Sequence, residues 1–468
     1  MNPRQLWSRR TLLRRVSMGA AGAALAGPAL SLLDRWSQPA RPRYVYIGAA
    51  QSIYVFDARG PRWRVVQQIP SASPAALALH PAGRFLYVAH AVDSFEGLPR
   101  GAVSAYSIDP ASGGLTHLNR QPLSLSATRP RALAVSPAGD ALAVAAYGGG
   151  AYNLLPIAPD GSLGRPSAIL KLTGAGPDPL RQRSSHPHSV IYDPAGRFLV
   201  GSDLGADRLH LIAPRNGRLS FAAQRGNQVP NGRDSSRAAD LTKLQEHEGV
   251  SGHDFSRADA ALKKVEQEAL APGGWSSEDS DLHLASHSAA IPPGSGPASL
   301  ALHPNGQWLY AMNELGGSVA LHAYHAGRAG LSTSLQSVAV EPATGHRSQV
   351  LQMHPAGHTL YAAAAEQGIA AFRIDPASGR LSPAQRLRSV ARAVVSMGIL
   401  SADALLIADC AGNRIVRLDL DPQTGAMRSA ATVAQLPAPL SIAPGAPGPV
   451  PTTRFCPAPP SSPAPQGS

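Results

Sequence analysis

Short apolar runs recur along the chain, each closed by a polar turn, and the turns repeat. Ala75–Leu79 leads into His80-Pro81-Ala82-Gly83, and a second run, Phe85–Ala89, follows. The same apolar–turn–apolar unit returns at Ser136-Pro137-Ala138-Gly139, Asp193-Pro194-Ala195-Gly196, His303-Pro304-Asn305-Gly306 and His354-Pro355-Ala356-Gly357, with Leu400–Ile407 a worn sixth copy. An alternating run comes next, Val103–Ile108 in the first copy. A second turn then recurs as Asp109-Pro110-Ala111-Ser112-Gly113, Asp375–Gly379 and Asp421–Gly425. Proline presets φ and glycine supplies φ > 0, so these are hairpin turns. The runs are short and β-compatible and lack the 3.6-residue period of helices. Each copy therefore predicts four strands, A to D.

The copies begin 56, 57, 110, 51 and 46 residues apart, and all but one of these spacings fit a four-stranded propeller blade with loops. Before the first copy, Tyr44–Asp57 and Arg64–Gln68 read as strands B, C and D without an A. After the sixth, Pro439–Ala443 reads as an A without a B. Joining them gives an all-β, seven-bladed β-propeller over residues 44–443, closed by N-terminal strands pairing with a C-terminal strand, which removes free sheet edges. A monomer is expected of such a ring. The 110-residue spacing marks an insertion, placed at 225–287, between strand D of the third copy and the next strand A. It reads as a disordered polar segment at the face where D leads to A, with a lid as the alternative. His283 and His287 within it lack a third ligand, so no metal site is expected. Residues 444–468, rich in Pro, Ala and Ser, read as a disordered tail.

Composition alters this picture little. Charged residues are 15% of the chain. Five arginines of the +12 net charge lie in residues 1–26, and the rest are scattered without runs or aromatic interleaving, so nucleic-acid binding is not expected. Cys410 and Cys456 cannot make a disulfide framework or a zinc site. The N-terminus changes more. Ser8-Arg9-Arg10-Thr11-Leu12-Leu13-Arg14 matches a twin-arginine export signal, and a weakly apolar stretch, Val16–Leu33, follows it. Ala24-Leu25-Ala26 offers a cleavage site, giving a signal peptide over 1–26. That stretch is short and broken by Pro28, a poor span, so no membrane anchor is expected after cleavage and the mature chain should lie in the periplasm or beyond.

In every blade the start of strand A lies beside the end of strand B, and these positions ring one mouth of the central channel. Function on a propeller is carried by such loops on a rigid frame. At the starts of A stand Arg129, Arg131, His186, His188, Ser299, Arg347 and Arg392. At the ends of B stand His90, Tyr147, Asp203, Asn313, Glu314, Glu366 and Asp409. Histidine, carboxylate and arginine on one concave mouth suit an anionic or polyhydroxylated ligand. No G-x-S-x-G elbow, H-E-x-x-H motif or phosphate loop is present, and no cofactor is expected.

With His186-Pro187-His188-Ser189 through Phe198 and on to Asp203, with Gly294–Pro304 followed by Asn313-Glu314-Leu315, and with Gly101–Leu115, the chain resembles the bacterial propeller-type 6-phosphogluconolactonases. Their fold is shared with fungal muconate-lactonizing enzymes. The resemblance spans about Tyr44 to Ala443. It implies hydrolysis of a small-molecule sugar lactone, with His186 or His188 and Glu314 in the site. Of the two histidines, His188 is the expected base, with Glu314 in support. Substrate contacts are expected from Asn313, Asp203, Arg392, Arg347 and Arg131. The chain also departs from the family. It has Ala298-Ser299 where the family usually shows Arg-His, and Ala363-Ala364-Ala365 where it usually shows Ser-Asn-Arg. Two arginines implied to hold an anionic group are thus missing. An unphosphorylated lactone is one consequence; a propeller that has lost catalysis and only binds a ligand or protein is the other.

Overall fold

The computed structural model describes residues 41–215, 218–221, 288–327, 329–340, 349–364 and 368–446. The signal peptide, the body of the insertion including His283 and His287, Arg347, Glu366 and the tail beyond residue 446 lie outside these described residues. The first copy becomes an antiparallel sheet of Pro74–Leu79, Phe85–His90, Ala102–Ile108 and Leu115–Pro122, and six more sheets follow its order. Within each blade the innermost strand is A. The seven A strands begin at Pro74, Pro130, Pro187, Pro297, Gln349, Val394 and Pro439, and each packs on the next around the ring. Pro439–Pro444 pairs antiparallel with Tyr44–Ala49, Tyr46 facing Ala443, so the seventh blade is made from both ends of the chain. No helix long and apolar enough to cross a membrane occurs among the described residues.

The repeated turns close in the way their residues require. The amide of Gly83 donates to the His80 carbonyl, and Gly139, Gly196, Gly306 and Gly357 repeat this bond, all with positive φ. The first residue of the motif has a further use that its turn role does not reveal. Nδ1 of His80 accepts from the Ala82 amide, so its proton sits on Nε2, which lies 3.0 Å from the Gly139 carbonyl of the next blade. His303 reaches Gly357 and His354 reaches Ala402 in the same manner. Tyrosines on strand B add a second interblade tie: the hydroxyls of Tyr46, Tyr87, Tyr310 and Tyr361 donate to Gly113, Gly161, Gly379 and Gly425. The cores lie between blades, as in the cluster of Tyr310, Leu321, Leu360 and Phe372.

The insertion is attached elsewhere than expected. The outermost strand of the third blade comes in two pieces. Arg218–Phe221 faces Ile212–Arg215, and Ser288–Ala290 faces Arg208–His210. The chain therefore leaves and re-enters within strand D, at the outer edge of the blade, and not in the D-to-A connection at the mouth. Ser288-Ala289-Ala290 carries no strand signal of its own; it is a strand because Arg208–His210 offers it an unpaired edge.

Candidate functional site

Each A strand opens opposite the end of its B strand: Pro187 faces Asp203, Pro297 faces Asn313, Val394 faces Asp409. In six of the seven blades the ladder slips just after this pair, leaving an unpaired residue in a β-bulge. A bulge re-aims its side chain. In the second and third blades the bulged residues are Arg131 and His188.

His188 is the centre of a cluster drawn from three blades. Its Nε2 lies 3.7 Å from Oε2 of Glu314, with side-chain exposures of 18% and 4%. Arg181, on the loop entering the third blade, donates to Oε1 of the same carboxylate at 2.7 Å. Its guanidinium also bonds the Tyr147 hydroxyl. The ring of Tyr147 stacks on His186 at 4.5 Å and 10° and meets His188 edge-on at 5.9 Å. Arg131 lies over the other part of this aromatic wall, its guanidinium carbon 5.6 Å from the Tyr147 centroid. Burial pushes His188 down to about 4. Glu314 works against that shift, and the positive charges of Arg131 and Arg181 add to it. His188 is thus neutral near pH 7. A neutral imidazole carries one N–H and one lone pair. His186 is held by its Nδ1, which donates to the Tyr147 carbonyl at 2.9 Å.

The loops that carry these groups are tightly specified. Asp178 accepts from the amides of Leu180 and Arg181, and buried Gln182 bonds the Leu204 carbonyl, which sets the base from which Arg181 reaches Glu314. Gly205 lies so close to the loop before His186 that a Cβ there would stand 1.8 Å from the Ser184 carbonyl oxygen. In the same turn of the third blade, buried Asp207 accepts from the amides of Gly294 and Gly296, which lead into the fourth blade, and the Gly296 carbonyl accepts from the Glu314 amide.

The structure brings His186, His188, Glu314 and Arg131 together, gives Asp203 and Asn313 other roles and leaves Arg392 exposed. Asp203 is fully buried. Its carboxylate accepts from Ser185 Oγ, the His186, Gly205 and Ala206 amides, and faces His210 at 3.6 Å. Burial opposes its ionisation, but these donors outweigh it and hold the group below the usual carboxylate range. The Asp203 oxygens are thus used in holding His186 and its loop. Asp409 does the same work in the sixth blade, accepting from the Arg392, Ala393 and Gly412 amides. Arg392 is anchored by that amide and its side chain is exposed at the rim. Asn313 is buried, donating to Ser318 Oγ while its Oδ1 has no partner. His90 is also structural: Nδ1 bonds the Ala72 carbonyl and Nε2 bonds Ser104. Arg181 was missed in the sequence, where nothing in a loop so rich in proline and arginine marks one guanidinium as buried. Among the described residues no group of three His, Cys, Asp or Glu could hold a metal ion.

Comparison with known proteins agrees with this architecture. The lactonase family, described as a seven-bladed β-propeller, matches residues 44–234 and 275–444. A 6-phosphogluconolactonase of Bacillus subtilis is 23% identical over 404 residues, covering 84% of this chain and 95% of that protein. Among solved structures, a putative 6-phosphogluconolactonase of Bacteroides fragilis aligns with a TM-score of 0.63 at 23% identity, over 86% of this chain and 97% of that one. A periplasmic gluconolactonase of Pseudomonas aeruginosa aligns with a TM-score of 0.65 at 22% identity, over 86% and 99%. At these identities the solved structures speak for the fold.

Proposed function

Because the chain belongs to the lactonase family of seven-bladed β-propellers, we propose that it hydrolyses an unphosphorylated sugar lactone outside the cytoplasmic membrane. The observation that carries the chemistry is His188: an imidazole held neutral by burial, its Nε2 3.7 Å from a carboxylate that is itself held by Arg181. In the proposed reaction water attacks the lactone carbonyl carbon and gives a proton to His188. The imidazolium so formed is stabilised by Glu314. Arg131 supplies positive charge for the developing oxyanion. Collapse of the tetrahedral intermediate breaks the ring C–O bond. His188 returns the proton to the departing alkoxide, and the product is a hydroxy acid.

The absence of a phosphate from the substrate is supported by the residues that stand where the family resemblance implies arginine. Ala298, the first such position, is fully buried; the second, Ala365, follows the B strand of the fifth blade, Thr359–Ala364, and lies outside the described residues. A desolvated Arg–phosphate contact is charge-assisted and often bidentate, so its loss weakens phosphate binding far more than binding of a neutral polyol. Export is supported by the Ser8–Arg14 motif, and replacing Arg9 and Arg10 by lysine should leave the protein in the cytoplasm. The test of function is kcat/KM for D-glucono-δ-lactone against its 6-phosphate, each corrected for spontaneous hydrolysis. The unphosphorylated lactone should be preferred, and His188→Ala should lower its turnover by roughly 10²–10⁴. Preference for the phosphate would overturn the substrate claim. The same alanines favour a second reading, a propeller that binds without catalysis, and inactivity on both lactones would establish it.

A further inference from the structure

The backbone position that presents Glu314 recurs around the ring. In the fourth blade it follows Asn313, and its amide donates to the carbonyl of Gly296, the residue before strand A. The same bond marks Ala91 in the first blade, Tyr147 in the second, Leu204 in the third and Cys410 in the sixth, whose amides donate to the carbonyls of Ser73, Arg129, His186 and Ala393. The histidines stand on the third blade, and the second and fourth blades adjoin its A strand on either side. Those two neighbours present Tyr147 and Glu314 at this position, where the first, third and sixth blades present alanine, leucine and cysteine.

Tyr147 meets more of the site than Glu314 does. Its ring stacks on His186 at 4.5 Å, and its carbonyl accepts from Nδ1 of that histidine, so the plane and the rotation of the imidazole are both set. The same ring meets His188 edge-on at 84° and lies under the guanidinium of Arg131. The turn that carries Tyr147 is held from behind. A Cβ at Gly148 would stand 2.1 Å from Thr128 Oγ1, and one at Gly149 only 1.6 Å from the Ser126 carbonyl oxygen. Arg129, whose carbonyl receives the Tyr147 amide, has a φ of 48° and is clamped by Asp93 at 2.5 and 3.0 Å. A residue other than glycine keeps that conformation only where its surroundings impose it.

From this arrangement we propose that Tyr147 is a positioning residue of the site, the counterpart of Glu314 on the other neighbouring blade. It acts through three groups, holding the imidazoles of His186 and His188 and the guanidinium of Arg131 in one geometry. The proposal rests on the lactonase reading for its reaction and on the ring contacts for the positioning. In that reaction the base is on the third blade and the cation facing the oxyanion is on the second. Tyr147 touches both, so it fixes the distance over which water and carbonyl must meet.

The experiment compares full-length wild type, Tyr147→Leu and Tyr147→Phe by kinetics on D-glucono-δ-lactone and by NMR of the histidine rings. Tyr147→Leu should lower kcat on the order of 10²-fold with KM changed no more than about threefold, and Tyr147→Phe, which restores the ring, should recover at least about tenfold of that loss. The leucine substitution admits water to His188 and unseats Arg131 while Glu314 and Arg181 remain, so the acid limb and the His188 titration should both move up from about 4. The His186 ring protons lie over an aromatic face. They should resonate upfield in wild type and Tyr147→Phe and lose that shift in Tyr147→Leu. A fall in kcat with neither histidine's resonances moved would overturn the proposal, as would a phenylalanine variant no better than leucine. If Tyr147→Leu does not fold, wild-type His186 protons without the upfield shift would overturn it by themselves. Inactivity of all three forms with the histidine resonances behaving as expected would sink the lactonase reading and uphold the positioning.

Discussion

Glu314 and Arg181 pull the proton affinity of His188 in opposite directions, so removing their charges one at a time should move the pH profile in opposite directions. In the wild type a neutral His188 is the active form. Activity should therefore fall as the pH drops through its pKa of about 4. At 3.7 Å an unscreened imidazolium–carboxylate attraction is about 4.5 kcal/mol at an effective dielectric constant of about 20. Arg181 already neutralises much of that carboxylate, and His188 retains 18% side-chain exposure, so the net effect should be near 1.4 kcal/mol, about one pH unit. Glu314→Gln removes the charge that favours the imidazolium. Its acid limb should move below 4 and kcat should fall roughly 10- to 100-fold. Arg181→Gln removes a charge that disfavours the imidazolium and frees the carboxylate, so its acid limb should rise about one unit toward the ordinary imidazole range. The assay is kcat/KM from pH 3.5 to 8, paired with an NMR titration of the His188 ring that needs no substrate. Limbs that move the same way in both variants, or a wild-type His188 titrating near 6.5, would refute the reasoning.

Gly205→Ala should cost activity on any substrate, because its Cβ would meet the Ser184 carbonyl and displace His186; a crystal structure of the variant with that loop unmoved would contradict this. Acid should weaken the fold through His90, whose buried ring is pushed down to about 4 first by desolvation and then by Arg120. The unfolded chain binds this proton near 6.5, so the stability is present above that pH and is lost as the pH falls toward 4. The loss is about 3 kcal/mol at most, measurable as urea midpoints that His90→Gln makes less pH-dependent. Deleting residues 439–468 should abolish cooperative thermal unfolding, because it strips Tyr44–Ala49 of its inner partner and exposes Val45, Ile47 and their neighbours; a melt like that of the full chain would count against closure.

The ring was legible because propeller blades are written locally. Each turn declares itself with Pro and Gly, and each strand with a short apolar run, so strand existence needed no knowledge of neighbours. The insertion point was not legible, since Ser288–Ala290 becomes a strand only by pairing with Arg208–His210. The site was half legible. His186, His188 and Glu314 could be placed at one mouth from strand order alone. Whether a polar residue there faces solvent, a substrate or its own loop depends on rotamers and bulges, which a residue list does not contain. Asp203 illustrates the failure: a carboxylate at a strand end looks the same in sequence whether it holds a ligand or a backbone.

Repetition supplies the control that a single sequence otherwise lacks. Asp203 and Asp409 occupy the same place in the third and sixth blades and accept equivalent amides, those entering strand A and that of the glycine in the following turn. A feature present in two blades, only one of which carries the histidines, belongs to the scaffold. The same comparison isolates what the third blade does not share: at the positions of His186 and His188 the sixth blade has Ala393 and Val395, and no charged partner corresponding to Arg181 and Glu314 is needed there. Stability cannot be what keeps a desolvated imidazole, a buried carboxylate and a half-buried guanidinium together at the third blade when alanine and valine serve the sixth. Each of those groups loses hydration on folding, and together they recover it only in part. A cluster that the scaffold does not require is where the chemistry of this propeller should be sought.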